Sequence, residues 1–332
     1  MKKTILYLST FALLAACQPK ETQQAVGSIE RIDTALDANI SAEAKPEIIA
    51  DGYEWSEGPL WLAETNRLIF SDVPKNTIYQ WNEETGASVY LSPSGYTSTV
   101  ARGGEMGSNG LTLSLDGKLV LAQHGDRRIA QMDAPVNEPQ PNFSTLADNI
   151  GGLKLSSPND VVFTSNGDIF FTDPPYGLPQ QADDSTKETP FNGVYKIRGG
   201  HTSLLIDSLT RPNGIAFLPG EKTFIVANSD PAKAIWYAFD LAGDSVTNAR
   251  IFYDATENAK TEKGLPDGLK IDTQGNVYAT GPGGVWIFNS AGEVLGKIKI
   301  NDVPTSNCAL TGDQKTLFIT ADRYIIRVKL RP

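Results

Sequence analysis

The chain predicts an all-β fold, a six-bladed β-propeller, on three observations. A polar residue opens a strand-rich unit six times, at Glu57, Asn109, Asn159, Asn213, Asp267 and Asn307, with spacings of 52, 50, 54, 54 and 40 residues. Each opener leads into an apolar run, a turn and a second apolar run, as in NGIAFLPGEKTFIVAN at 213–228. Alternation and β-branched residues favour strands, and no stretch holds a convincing helical period. A six-fold repeat of this length is the pattern of propeller blades, each packing only on its neighbours.

The N-terminus precedes the repeats. Lys2 and Lys3 lead an apolar stretch, Ile5 to Leu14, that is too short to span a bilayer. It ends in Leu14-Ala15-Ala16-Cys17, which resembles a bacterial lipobox. Residues 1–16 are therefore expected to be a lipoprotein signal peptide, and Cys17 to carry a thioether-linked diacylglycerol. Gln18 at the next position points to the outer membrane, so the expected location is the cell envelope, on the periplasmic face of the outer membrane or the cell surface. Residues 17–45 are rich in Gln, Glu, Ala and Thr without an apolar period, and are expected to form a flexible tether to a propeller spanning 46–332.

The blades follow in order. Repeat one opens WSEGPLW at 55–61. Repeat two shows four strands, 111–115, 118–123, 128–132 and 143–146, with Asp116-Gly117 as its first turn. Asn166-Gly167, Pro219-Gly220 and Gln274-Gly275 hold the corresponding turn in repeats three, four and five. The sixth repeat supplies only 308–311, 316–320 and 324–330. Its missing outer strand is expected from residues 46–52, because EIIAD resembles LLID at 204–207 and IFYD at 251–254. Borrowing that strand closes a ring that would otherwise leave two unpaired blade faces.

Charge excludes some partners. The formal net charge is −10, a poor match to nucleic acid, which requires an electropositive stripe. The two cysteines, Cys17 and Cys308, form no C-x-x-C pair, and the two histidines, His124 and His201, form no cluster, so a structural zinc or haem site has no support. The RGGEMGS loop at 102–108 lacks the Lys-Ser/Thr pair and helix of a phosphate cradle and is expected at the rim. No G-x-S-x-G elbow occurs, so a Ser-His-Asp hydrolase is unsupported.

Two columns of polar residues remain. The openers precede the innermost strand and are expected to face the mouth of the central channel. A second column, Asp72, His124, Asp173, Asn228, Gly281 and Asp322, follows 14 or 15 residues later and is expected to rim the same face. Oxygen donors converging on one axis suit a hard cation: Ca²⁺ first, with Mg²⁺ or Mn²⁺ as alternatives. Taken singly, Asn-Gly and Asp-Gly pairs serve turns. Their recurrence before the strands, with Glu57-Gly58-Pro59 in repeat one, argues for ligands instead. His124 faces either the channel, as a substrate contact or proton shuttle, or the core.

Four motifs carry a resemblance. SSPNDVVFTSNGDIFFTDPPYGL at 156–178, RPNGIAF at 211–217, LPDGLKID at 265–272 and NCAL at 307–310 are together similar to the gluconolactonase, senescence marker protein and luciferin-regenerating enzyme family. The QHG at 123–125 and ATGPGG at 279–284 look most like its bacterial gluconolactonase branch. The resemblance implies one catalytic divalent cation, Ca²⁺ with Mg²⁺, Mn²⁺ or Zn²⁺ as alternatives, held by Glu57, Asn159, Asn213 and Asp267. It implies hydrolysis of sugar lactones such as glucono-1,5-lactone, with Asp267 as general base or as the group positioning a metal-activated water. His124 and Asp173 are alternate bases, and Asn109, Asn307, Asp160 and Tyr176 are expected substrate contacts. The competing readings are an arylesterase or phosphotriesterase of the same fold and a non-catalytic sugar-binding propeller.

Overall fold

A computed structural model describes residues 26–331 and gives six four-stranded antiparallel blades around a central channel. Their innermost strands are Ser56–Leu62, Ser108–Leu113, Val161–Phe163, Pro212–Phe217, Leu269–Ile271 and Asn307–Leu310. Six clusters of buried side chains lie one at each junction between neighbouring blades, and together they form the core. The junction that closes the ring packs Leu68, Phe70 and Trp81 of the first blade against Ala309, Phe318 and Ile325 of the last. Trp61 stacks on Phe318 there, with ring centroids 5.3 Å apart.

The closure expected from the sequence is present. Pro46–Asp51 pairs antiparallel with Tyr324–Lys329, with Pro46 opposite Val328 and Asp51 opposite Tyr324. Arg327 Nη2 donates to Glu47 Oε2 at 3.0 Å across this pairing.

The expected tether needs correction over its second half. Gly27–Arg31 forms a fifth strand on the outer edge of the fifth blade, antiparallel to Val294–Ile300. A short 3₁₀ turn, Thr34–Ala38, follows, with the Asp33 carboxylate accepting from Ala35 N at 2.7 Å. Leu36 and Ile40 are fully buried between the fifth and sixth blades. Burial of these two side chains and a sheet edge to pair with explain why a polar segment without an apolar period is ordered. The expected signal peptide at 1–16 and the expected lipidation site Cys17 lie outside the described residues.

The inner strands begin earlier than their apolar runs. In blades two and four the ladder breaks register across the opener, between Ser108 and Leu111 and between Pro212 and Ile215, and in blade one just after it, between Glu57 and Leu60. Such bulges leave a residue unpaired and re-aim its side chain. Here they turn the openers toward the channel.

Candidate active site

The glycine after the opener has a steric cause. A Cβ on Gly58 would lie 2.0 Å from the Asn109 carbonyl oxygen, and one on Gly214 would lie 2.3 Å from that of Asp267. The blades converge so closely that each opener's backbone fills the space beside its neighbour. Hydroxyls of the second strands stitch this layer: Ser71 donates to Asn109 O at 3.0 Å and Thr172 to Asn213 O at 2.7 Å. The Asn-Gly pairs at the openers thus serve close approach of backbones, and Gly268 leaves room for the Asn307 side chain, 2.0 Å from where its Cβ would be.

Above this layer lies a cavity of about 460 Å³, lined by Glu57, Asn109, Asn159, Asn213 and Asp267 among others. Asn159 and Asn213 line it and carry no side-chain hydrogen bond among the described residues, so their amides are free to serve as oxygen donors. Glu57 Oε2 accepts from Gly58 N at 2.9 Å and from Asn307 Nδ2 at 3.3 Å, which leaves Oε1 for the cavity. Asp267 Oδ1 and Asn109 Oδ1 are buried without partners. Asn307 is therefore one step removed: it touches Glu57, and its Oδ1 accepts from Cys308 N at 2.9 Å.

Glu57 and Asp267 are two buried carboxyls, close enough that the charge of one raises the other. Burial pushes the Glu57 carboxyl up to about 8, with the charges of Asp160 and Glu105 adding to the shift. Burial, and then the charge of Glu57, hold the Asp267 carboxyl well above the usual carboxylate range. Neither forms an ion pair among the described residues. Two carboxylates and two amide oxygens fit a hard divalent cation, which removes the cost of burying both charges. No group of three His, Cys, Asp or Glu side chains suits a metal among the described residues, so this set is distinguished by its amides.

The second column does not rim the cavity. Asp173 is buried and accepts from Ser156 N at 2.8 Å and Ser157 N at 2.7 Å, tying down the segment that leads to Asn159. Asp72 accepts from Glu54 N and Trp55 N ahead of Glu57, and Asn228 from Arg211 N ahead of Asn213. Gly281 leaves room for the Trp236 indole, 2.6 Å from where its Cβ would be. The expectation that Asp173 is an alternate base is corrected: its oxygens are engaged in holding the approach to an opener. Asp160 is corrected likewise, since its carboxylate accepts from Val161 N at 2.9 Å and Ile215 N at 3.2 Å and does not line the cavity. His124 is fully buried and does not line the cavity, with Nδ1 3.3 Å from Glu105 Oε2.

Tyr176 does line the cavity, its hydroxyl donating to Ser229 O at 3.4 Å. The structure adds residues that periodicity could not find. Glu105, Arg211 and Glu262 line the cavity, with Trp55 and Leu265 as apolar walls. Glu262 is paired with Lys297 at 2.6 Å, whereas the Arg211 guanidinium has no partner among the described residues. Arg211 stands two positions before an opener in RPNG, and that placement was the signal available for it.

Residues 55–323 match the family described as the SMP-30/Gluconolactonase/LRE-like region. The chain is 37% identical over 313 residues to a gluconolactonase of Zymomonas mobilis, covering 92% of this chain and 87% of that protein. It is 24% identical over 277 residues to the pentonolactonase XacC of Haloferax volcanii, covering 80% of each. Among solved structures, the gluconolactonase XC5397 of Xanthomonas campestris superposes with a TM-score of 0.79 at 28% identity, covering 95% of this chain and 100% of that one.

Proposed function

The chain belongs to the SMP-30/gluconolactonase/LRE family, and from that premise we propose how its axial cavity opens a lactone. The protein is a gluconolactonase-like hydrolase of sugar lactones. The observation that carries its chemistry is the convergence of Glu57, Asn159, Asn213 and Asp267 on one cavity, where Asp267 Oδ1 is buried without a partner. These four would hold a single divalent cation, Ca²⁺ being favoured by an all-oxygen donor set, with Mg²⁺, Mn²⁺ or Zn²⁺ as competitors. When bound, such an ion supplies Lewis-acid polarisation of the lactone carbonyl and stabilises the developing oxyanion.

The chain's own side chains account for substrate placement. Asn109 and the free guanidinium of Arg211 are suited to bind the ring oxygens and hydroxyls of a polyhydroxylated lactone. Trp55, Tyr176 and Leu265 form walls that limit water access to the bound ring. Asp267 orients the attacking water from its place in the cage.

The decisive test is turnover of a panel of five- and six-membered aldonolactones, with and without a chelator. Activity lost on chelation and restored by Ca²⁺ is expected; full turnover after complete metal removal would overturn the metal-dependent reading. Metal binding with no lactone opened would favour the esterase or sugar-binding alternatives. The lipobox at 14–17 further supports anchoring at Cys17 in the cell envelope. Incorporation of labelled palmitate that Cys17→Ala abolishes is the expected result, and equal labelling of both proteins would refute it.

A further inference from the structure

His124 has no role in the site as described so far. It is fully buried, and neither ring nitrogen has a hydrogen-bond partner among the described residues. Its Nδ1 faces Oε2 of Glu105 at 3.3 Å. Glu105 in turn lines the cavity, yet it sits in no blade strand.

The loop that carries Glu105 is clamped at both ends. Arg102 Nη1 donates to Gly125 O at 2.5 Å and Nη2 to Gly177 O, the neighbours of His124 and Tyr176. At the other end Gly107 N donates to Val73 O at 2.7 Å, and Gly107 O accepts from His124 N at 3.1 Å. The backbone on either side of Glu105 is thus fixed over the imidazole. Its charge also reaches both cage carboxylates, raising Glu57 and Asp267.

We propose that Glu105 accepts the proton of the water that opens the lactone, and that His124 is a positioning residue acting through it. This rests on the lactonase reading above. A carboxylate bound to a cation is a weakened base, which counts against Asp267 in this role. Glu105 stands outside the four-residue cage and keeps its carboxylate for proton transfer. Water oxygen bonds to the carbonyl carbon while its proton passes to Glu105. The tetrahedral intermediate then breaks the bond to the ring oxygen, which takes the proton back from Glu105. The hydroxy acid so formed ionises and releases one proton to solvent. The buried imidazole beneath Glu105 restricts the carboxylate's orientation during both transfers.

The test measures kcat and KM on glucono-1,5-lactone for wild type, Glu105→Gln, Glu105→Asp, His124→Asn and the Gln/Asn double variant, corrected for spontaneous opening. Calorimetric titration with Ca²⁺ is run on each. Glu105→Gln is expected to lower kcat by roughly 10²–10³-fold, with KM within about threefold and Ca²⁺ affinity unchanged. Glu105→Asp should recover part of kcat. His124→Asn should lose less than Glu105→Gln, and the double variant no more, because the two act as one unit. If His124→Asn does not fold, Glu105→Gln alone decides the assignment of the proton acceptor.

Retention of kcat in Glu105→Gln overturns the proposal. So does a rise in KM at constant kcat, which makes Glu105 a sugar contact. Lost Ca²⁺ affinity overturns it by making Glu105 a ligand. Losses that multiply in the double variant remove His124 from its positioning role. Wild-type protein inactive on lactones defeats the lactonase reading itself, and this proposal with it.

Discussion

Glu57 divides its two oxygens between the protein and the cavity. Oε2 is held by Gly58 N and Asn307 Nδ2, so the carboxylate cannot turn away from the axis. Glu57→Gln preserves this shape and removes the charge. Because outer partners of metal ligands alone are worth about 10–100-fold in affinity, a direct ligand should cost at least that. Titration calorimetry of Glu57→Gln and Asp267→Asn with Ca²⁺ is expected to show that loss, together with lost lactone turnover. At Asp173 burial pushes the carboxyl up to about 6, against the opposing pull of two backbone amides. The folded state therefore holds a proton through the interval in which the unfolded chain has released it. Its stabilising effect is complete below the ordinary aspartate range and is lost as pH rises through about 6. Relative to Asp173→Asn, wild-type stability should fall by up to about 3 kcal/mol across that window. Denaturant unfolding of both proteins at several pH values checks the sign. The openers were legible in the sequence because periodicity fixes which side chains are equivalent. The second column shared that periodicity but not the function, since spacing does not reveal that the preceding backbone folds over Asp72, Asp173 and Asn228. Glu105 and Arg211 stand outside the inner strands, where no period reports position.

Two strands from the N-terminal segment finish the sheets, and they differ in what they secure. Pro46–Asp51 completes the last blade, beside the core junction between the last and first blades, whereas Gly27–Arg31 adds to a blade that already has four strands. Deleting 46–51 should abolish the cooperative thermal transition followed by circular dichroism; an unchanged melting temperature would refute the closure role. Gly27–Arg31 escaped notice because an outermost strand, mostly exposed, has little need of apolar residues. Leu36 and Ile40 were the weak trace: apolar side chains four positions apart in a polar segment, both fully buried where two blades meet. Leu36→Ala should cost about 2–5 kcal/mol in chemical denaturation, a loss that a free tether would not produce.

The whole molecule balances a closed apolar ring against a charged axis. Junction cores between all six pairs of neighbouring blades hold the openers together even where their charges repel. A cation that binds only the folded cage should stabilise the protein by mass action, about 2.7 kcal/mol at a free concentration one hundred times its Kd. Thermal unfolding with Ca²⁺ and with chelator should differ accordingly; coincident curves would argue against a cage on the axis.

The edge strand on the fifth blade also sets a direction. It begins beside Ile300, and Asn301 N donates to Val26 O at 3.0 Å, a few residues before Pro304 and Thr305 enter the cavity wall. The described chain therefore starts on the face where the cavity opens. If the lipid anchor proposed at Cys17 is borne out by labelling, the cavity would open on the side of the molecule from which it is tethered.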